Sequence, residues 1–254
     1  MTPESQAQCE RLEWDSAFWG FPVGRIRGEC LTLEQAQQAT AWSREHGFRC
    51  LYFRSAADDA ESARAAQQAG FRCVDLQVTF EWVSTHETSG VLVVPEPPIK
   101  LRNFAEHDSD ILRAIARTSY GDTRFYFDGQ FPRPQCDRLY EVWIEKCCTG
   151  GADSVTVAEL NGEAVGYVTC HLDSPDGAGK IGLVGVASGV RGRGVGAALI
   201  NSSIDWFTRN GAHTISVVTQ GRNVSAQRLY QRAGFLTKAT AQWFHWWNDV
   251  RATT

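Results

Sequence analysis

The chain repeats part of itself once, and a repeat at a fixed offset sets the same order of elements in two places. Residues 49–71 (RCLYFRSAADDAESARAAQQAGF) align without gaps to 213–235 (HTISVVTQGRNVSAQRLYQRAGF). Ala69, Gly70 and Phe71 match Ala233, Gly234 and Phe235. At the same offset Trp42 matches Trp206, Gly47 matches Gly211, Phe80 matches Phe244 and Trp82 matches Trp246. Each copy reads as helix, glycine stop, strand, helix, glycine stop, strand. Leu199, Ile200, Ile204 and Phe207 keep helical spacing, and Gly211 and Gly234 suit the residue just past a helix end. The runs 51–53 and 215–218 read as short buried strands. Two copies make a duplicated supersecondary unit rather than a solenoid.

Between the copies, residues 84–98 (STHETSGVLVVPEPP) read as a linker, because Pro95, Pro97 and Pro98 continue neither a helix nor a central strand. They divide the chain into residues 1–83 and 99–254. The second part begins with a strand at 99–101, a helix at about 108–116 and an aromatic segment at 120–132. A helix at 135–147 follows, with Leu139, Val142, Trp143 and Ile144 facing inward. Next come a hairpin turning at Asn161-Gly162, a strand at 181–187, two helix–strand units and a last strand at 242–247. This is a mixed α/β fold, antiparallel first and βαβ later.

Charge and composition exclude several classes of function. A net charge of −4 argues against nucleic acid as a partner. No apolar run approaches the ~20 residues that span a bilayer. The first residues, MTPESQAQCERLEWD, have no apolar signal core, so the expected location is cytoplasmic. The 8 cysteines form no C-x-x-C pair, and no His stands at zinc-ligand spacing; they read as small residues in a reducing compartment, with no metal.

One segment carries chemistry: VGVASGVRGRGVGAALINSSIDWF, 184–207. A strand ends, a loop holds Gly189, Gly192, Gly194 and Gly196, and a helix begins. Such glycines let backbone approach a ligand, and a helix N-terminus suits a pyrophosphate. Arg191 and Arg193 add positive charge. The loop lacks the Lys-Ser/Thr ending of a P-loop, and no acidic residue follows at dinucleotide-fold spacing. On the glycines alone, a tight strand–helix turn and a phosphate cradle are both open.

The loop resembles the acyl-CoA pyrophosphate loop of the GNAT superfamily of N-acyltransferases, with Arg191, Gly194 and Gly196 filling the pattern Arg/Gln-x-x-Gly-x-Gly/Ala. Downstream, Asn223 to Phe235 resembles the family's second motif, and the order of elements matches over 99–247. The resemblance implies a GNAT fold, acetyl-CoA as cosubstrate, and one site per chain. Backbone groups of Val184 and Val186 would bond the pantetheine arm. Amides across Val190, Arg191, Gly192, Arg193, Gly194, Val195 and Gly196 would hold the pyrophosphate. The Asn223 side chain would bond the pantetheine or phosphate region, and Tyr230 would protonate the departing thiolate. In the first copy, Ala66 stands for Tyr230, Asp59 for Asn223, and Ile26–Thr32 for the loop. Residues 1–83 therefore read as a truncated GNAT-like domain without a cofactor site.

The stretches 12–26 and 123–148 further resemble two-part GNAT enzymes that acetylate the 4-amino group of a dTDP-linked 4-amino-4,6-dideoxy sugar, the dTDP-fucosamine acetyltransferase group. That resemblance implies an amino sugar nucleotide as acceptor and a homodimer, for which the aromatic strand 243–247 offers a face unless it is core. An aminoglycoside, a polyamine, a protein N-terminus and a non-catalytic acyl-CoA-binding role are the alternatives. The aromatics of 120–132 either stack on the acceptor, with Arg124 or Arg133 meeting its diphosphate, or fill a hydrophobic seam. Trp14, Asp15, Phe18 and Trp19 present the same two roles. For the general base, the strand IGLVGV holds no carboxylate. His171, Asp173 and an ordered water are all open.

Overall fold

The computed structural model describes residues 9–84, 99–173 and 177–248; the linker prolines lie outside them. In chain order the elements are β1 (Cys9–Arg11), α1 (Glu13–Trp19), β2 (Val23–Ile26), α2 (Leu33–Glu45), β3 (Cys50–Ala56), α3 (Ala60–Gln68), β4 (Arg72–Val83), β5 (Lys100–Asn103), α4 (Ser109–Ser119), α5 (Arg124–Asp128), α6 (Arg133–Lys146), β6 (Ser154–Leu160), β7 (Glu163–Asp173), β8 (Ala178–Val186), α7 (Val195–Arg209), β9 (Thr214–Gln220), α8 (Val224–Arg232) and β10 (Leu236–Trp247). The two copies of the repeat carry matching elements at matching bounds: β3 with β9, α3 with α8, and β4 with β10. Asp59 and Asn223 each cap the following helix with a side-chain oxygen.

The described residues form two compact units, each discontinuous in sequence. One gathers residues 9–77, 123–135 and 239–248; the other gathers 78–84, 99–122, 136–173 and 177–238. In the first unit the strands run in the order β1-β2-β3-β10. In the second they run β4-β9-β8-β7-β6-β5. The last strand of each copy thus ends in the unit built on the other copy. Ala241 to Trp247 of β10 pair with Ala56 to Cys50 of β3, while the end of β4 lies beside β9.

Packing explains the glycine and aromatic matches. Gly70 and Gly234 adopt φ of +90° and +88° after their helices, where a Cβ would be strained. The indole of Trp246 covers Gly70, and that of Trp82 covers Gly234. Phe53, Phe71, Phe244 and Trp246 join the core of the first unit; Phe80, Trp82, Leu199, Phe207 and Phe235 join that of the second. The strand 243–247 is core: Phe244, His245 and Trp246 are buried within the first unit. The hairpin turns at Asn161 and Gly162, both at positive φ. On α6, Leu139 and Ile144 are buried, whereas Val142 and Trp143 are only half-buried.

Part of the aromatic segment also becomes core. Phe125 and Phe131 pack against Trp19 with ring centroids 5.2 and 4.4 Å away. Beside them Asp128 Oδ2 accepts from the Nδ1–H of buried His245 at 2.6 Å and from Trp247 Nε1 at 2.9 Å. Burial outweighs the carboxylate and lowers the His245 pKa from 6.5 to about 4. Between those values the unfolded chain binds the proton that the folded chain refuses, so stability falls as pH drops through that window. The loss is on the order of 3 kcal/mol. Urea unfolding at pH 7 and pH 4.5 should show a smaller acid loss in His245→Gln than in the parent; an equal loss in both would remove His245 as the cause.

Candidate active site

The site begins where two neighbouring strands part. β8 pairs with β7 from Asp173↔Ala178 to Gly166↔Val186, with one extra residue on β8 opposite Thr169. The Thr169 hydroxyl accepts from Leu183 N at 2.8 Å and so holds this bulge. β8 pairs in parallel with β9 from Ala178↔Thr214 only as far as Ile181↔Val217. Beyond that pair, Gly182–Val186 and Val218–Gln220 diverge and line a cleft of about 1760 Å³. Every residue lining it belongs to the second unit. The parted edge leaves N–H and C=O groups without a ladder partner, which an extended amide-bearing chain can supply as an added strand. Val184 and Val186, the two residues expected to do this, both line the cleft.

At the head of the cleft stands the N-terminus of α7. Its N-cap is Gly194 at φ +84°, with no side-chain cap, so the first amides of the helix remain for an anion. Gly192 at φ +78° makes the preceding turn. Gly196 is held against Leu229, whose Cδ2 would lie 3.2 Å from a Cβ there. The amides of Val190, Arg191 and Arg193 already donate to the carbonyls of Ala187, Ser188 and Val190. Those of Gly192, Gly194, Val195 and Gly196 carry no such bond among the described residues. Arg191 acts as a strut: its Nε donates to Val186 O at 3.1 Å and its Nη2 to Thr118 O at 3.4 Å. Arg193 is exposed and is not among the residues lining the cleft.

α8 brings the other two expected residues. Asn223 lines the cleft, and its Oδ1 accepts from Ala226 N at 3.1 Å as the helix cap, which leaves the side-chain NH₂ as the donor for a ligand. Tyr230 is 5% exposed, with its ring centroid 5.9 Å from Phe80 and 6.0 Å from Phe235. Its hydroxyl has no hydrogen-bond partner among the described residues. Burial pushes its pKa up, so the phenol keeps its proton.

The cleft also gathers Tyr140 and Trp143, which sequence reasoning did not assign to it. Tyr120 stacks on Tyr140 at 4.1 Å between centroids, and Trp143 meets Tyr140 edge-on. The Tyr120 and Tyr167 hydroxyls lie 3.1 Å apart. The Tyr167 ring lies so close to Gly185 that a Cβ there would come within 2.6 Å of it. Of the acceptor candidates, Tyr120 lines the cleft, whereas Trp14, Asp15, Phe18, Trp19, Arg124 and Arg133 lie in the first unit and do not. Arg124 sits over the Trp243 ring at 4.1 Å, and Arg133 over Tyr126 at 4.5 Å. His171 packs beside Thr169, Asp173 is exposed, and neither lines the cleft. Burial and the Lys180 charge lower the His171 pKa. Among the described residues no group of His, Cys, Asp and Glu is placed to hold a metal, and no helix is long and apolar enough to cross a membrane.

A parted parallel pair beside an uncapped helix can take an extended amide-bearing chain that carries an anionic group. Comparison with known proteins agrees. Residues 119–235 match the Acetyltransferase (GNAT) family. A dTDP-fucosamine acetyltransferase of Escherichia coli O6:H1 is 29% identical over 246 residues, covering 94% of this chain and 98% of that protein. A mycothiol acetyltransferase of Mycobacterium avium is 42% identical over 154 residues, covering 56% of this chain but 47% of that protein. The fold is shared with a GCN5-related N-acetyltransferase from Sphaerobacter thermophilus at TM-score 0.65 and 19% identity, covering 94% of this chain and 76% of that one. The segment that holds the cleft is therefore a GNAT domain, and the chain is an acyl-CoA-dependent N-acetyltransferase.

Losing the Arg191 strut should loosen both the end of β8 and the glycine loop. Both bonds are exposed and one is long at 3.4 Å, so each adds less to stability than the ~1.5–3 kcal/mol of a well-formed bond from a charged group. Arg191→Ala is expected to weaken acetyl-CoA binding by about 10- to 100-fold in calorimetry, with the melting temperature little changed. Unchanged affinity would show that the loop holds its shape without the strut.

Proposed function

We propose that this enzyme transfers an acetyl group from acetyl-CoA to the amino group of a nucleotide-linked (dTDP) amino-deoxy sugar, by direct attack of the amine on the thioester. The cofactor half of this reading rests on the cleft. The open edge of β8 suits the amide-bearing pantetheine arm, and the uncapped start of α7 suits the pyrophosphate. The acceptor half is supported by the end-to-end alignment with a dTDP-fucosamine acetyltransferase. The match to mycothiol acetyltransferase covers only 56% of this chain and supports the acetyl-CoA half alone.

Residues on the chain then divide the work. Val184 and Val186 offer backbone groups to the arm, and the amides of Gly192, Gly194, Val195 and Gly196 receive the pyrophosphate. The Asn223 NH₂ donates between them. Tyr230 supplies a proton to the leaving thiolate. The first copy of the repeat is a truncated GNAT-like unit with no second site. There Thr32 and Gln35 form a capping box on α2, and Ser62 Oγ accepts from Leu31 N at 2.7 Å, so the amides of Leu31, Thr32 and Gln35 are already bonded.

A positioned acid contributes about 10²- to 10⁴-fold to rate. Tyr230→Phe should therefore lower kcat about 100-fold or more while the acetyl-CoA Kd stays within about twofold; retention of full turnover would show that another group protonates the thiolate. For the acceptor, CoA release should be fastest with a dTDP-linked 4-amino-4,6-dideoxy sugar in a panel that also holds aminoglycosides, polyamines and peptide N-termini. No turnover of any nucleotide-linked amino sugar, with turnover of another amine, would replace the acceptor assignment.

A further inference from the structure

An amine attacking a thioester must shed a proton, and β8 carries no carboxylate to take it. Three carboxylates line the cleft: Glu81, Asp122 and Asp205. Glu81 is paired with Lys238. Asp205 lies on α7 about 15 Å further along the helix than Val195, at the same end as Thr208 and Arg209. Asp122 is exposed, and its carboxylate forms no ion pair among the described residues.

The placement of Asp122 is fixed by its backbone. Its carbonyl oxygen accepts from Arg222 Nη1 at 3.0 Å, which ties it to the turn just before the Asn223 cap. Two residues earlier, Tyr120 reaches the Tyr167 hydroxyl beside Gly185 at the centre of the parted edge. Tyr230 is close enough to Tyr120 to contribute to raising its pKa. Asp122 therefore lines the cleft two residues beyond Tyr120, with its backbone held to the turn that leads into α8.

We propose that Asp122 is the group that receives the proton of the attacking amine, with the acceptor packed on the wall made by Tyr120, Tyr140 and Trp143. This rests on the N-acetyltransferase reading and extends it to the base. The nitrogen lone pair forms the N–C bond to the thioester carbonyl carbon, and the C–S bonding pair leaves with sulfur. Sulfur takes a proton from the Tyr230 hydroxyl. The acceptor arrives as an ammonium and loses two protons by way of the Asp122 carboxylate: one replaces that given by Tyr230, and the other passes to water, which an exposed carboxylate can reach. The charged and titratable groups along this side of the cleft include Tyr120 at the end of α4, Tyr140 on α6, Tyr167 on β7, Tyr230 and Arg228 on α8, Arg222 in the β9–α8 turn, and Arg191, whose guanidinium donates to Thr118 O. Burial raises the pKa of Tyr120, Tyr167 and Tyr230, so these three remain neutral.

Steady-state kinetics of Asp122→Asn test this with whichever amine the parent acetylates, so that failure of the sugar assignment and failure of the Asp122 assignment remain separate. At pH 7 the expected result is a fall in kcat/KM for the amine of about 100-fold, with acetyl-CoA affinity and melting temperature unchanged. The defect should shrink as pH rises past the pKa of the amine itself, because the acceptor then arrives already neutral. Asp122→Glu should recover part of the rate. A defect of equal size from about two pH units below the pKa of that amine to about one above it, or no defect, would overturn the proposal.

Discussion

The parting of β8 from β9 after Ile181↔Val217 is the constraint on which the rest of the second unit depends. A parallel pair inside a sheet gains by continuing its ladder, so opening it leaves backbone groups that must find partners elsewhere. Several residues hold it open. The bulge opposite Thr169 bends β8 away, and Gly182 admits this because a Cβ there would come within 2.5 Å of His171 Nε2 and 2.7 Å of Thr169 Oγ1. Gly185 admits the Tyr167 ring in the same way. The Arg191 guanidinium then anchors the far end of the opened strand by its carbonyl at Val186. Any larger residue at Gly182 or Gly185 would push β8 toward a different path and close or distort the slot.

The first copy of the repeat shows what the same framework does when those groups are satisfied. β2 pairs with β3 in parallel from Val23↔Cys50 to Arg25↔Tyr52 and ends at Ile26, and the chain then passes directly to α2. There is no strand extension to open and no glycine loop. The N-terminus of α2 is closed by Thr32, Gln35 and Ser62, where that of α7 begins at a bare glycine. The second copy leaves backbone unbonded at its helix start, and the first caps part of the same position without changing the order of elements.

The repeat was the most legible part of the sequence, because matching glycines and aromatics fix element ends and core positions locally. The glycine turn before α7 was legible for the same reason, since a glycine at positive φ and a helix start are properties of a short segment. Destinations of side chains in 120–132 were not. Phe125 and Phe131 entered a core with Trp19, whereas Tyr120 faced the cleft, and nothing in their spacing separates these outcomes. Arg124 and Arg133, placed by charge beside a diphosphate, instead lie over aromatic rings, where a weakly hydrated guanidinium is also stable. Asp122 gave no signal, because its position depends on a backbone contact from Arg222, a hundred residues away in sequence. On α6 Trp143 read as facing inward with Leu139 and Ile144, and Tyr140 gave no signal, so their stack with Tyr120 was not legible.

Burial of Tyr230 sets a condition on its chemistry. A phenol with a pKa near 10 already holds its proton more tightly than a thiol near 8.5, and burial widens that gap for the phenol considered alone. The thiolate forms in the same cleft, however, and desolvation raises its basicity by the same mechanism. What matters is the difference between the two groups in one environment, and that difference shrinks when neither anion is solvated. In the role proposed for Tyr230, a neutral phenol without a competing hydrogen bond would stabilise the developing charge on sulfur from the start of C–S cleavage, before the proton moves. Phe80 and Phe235 hold the ring in place, so the hydroxyl needs no reorganisation at that moment.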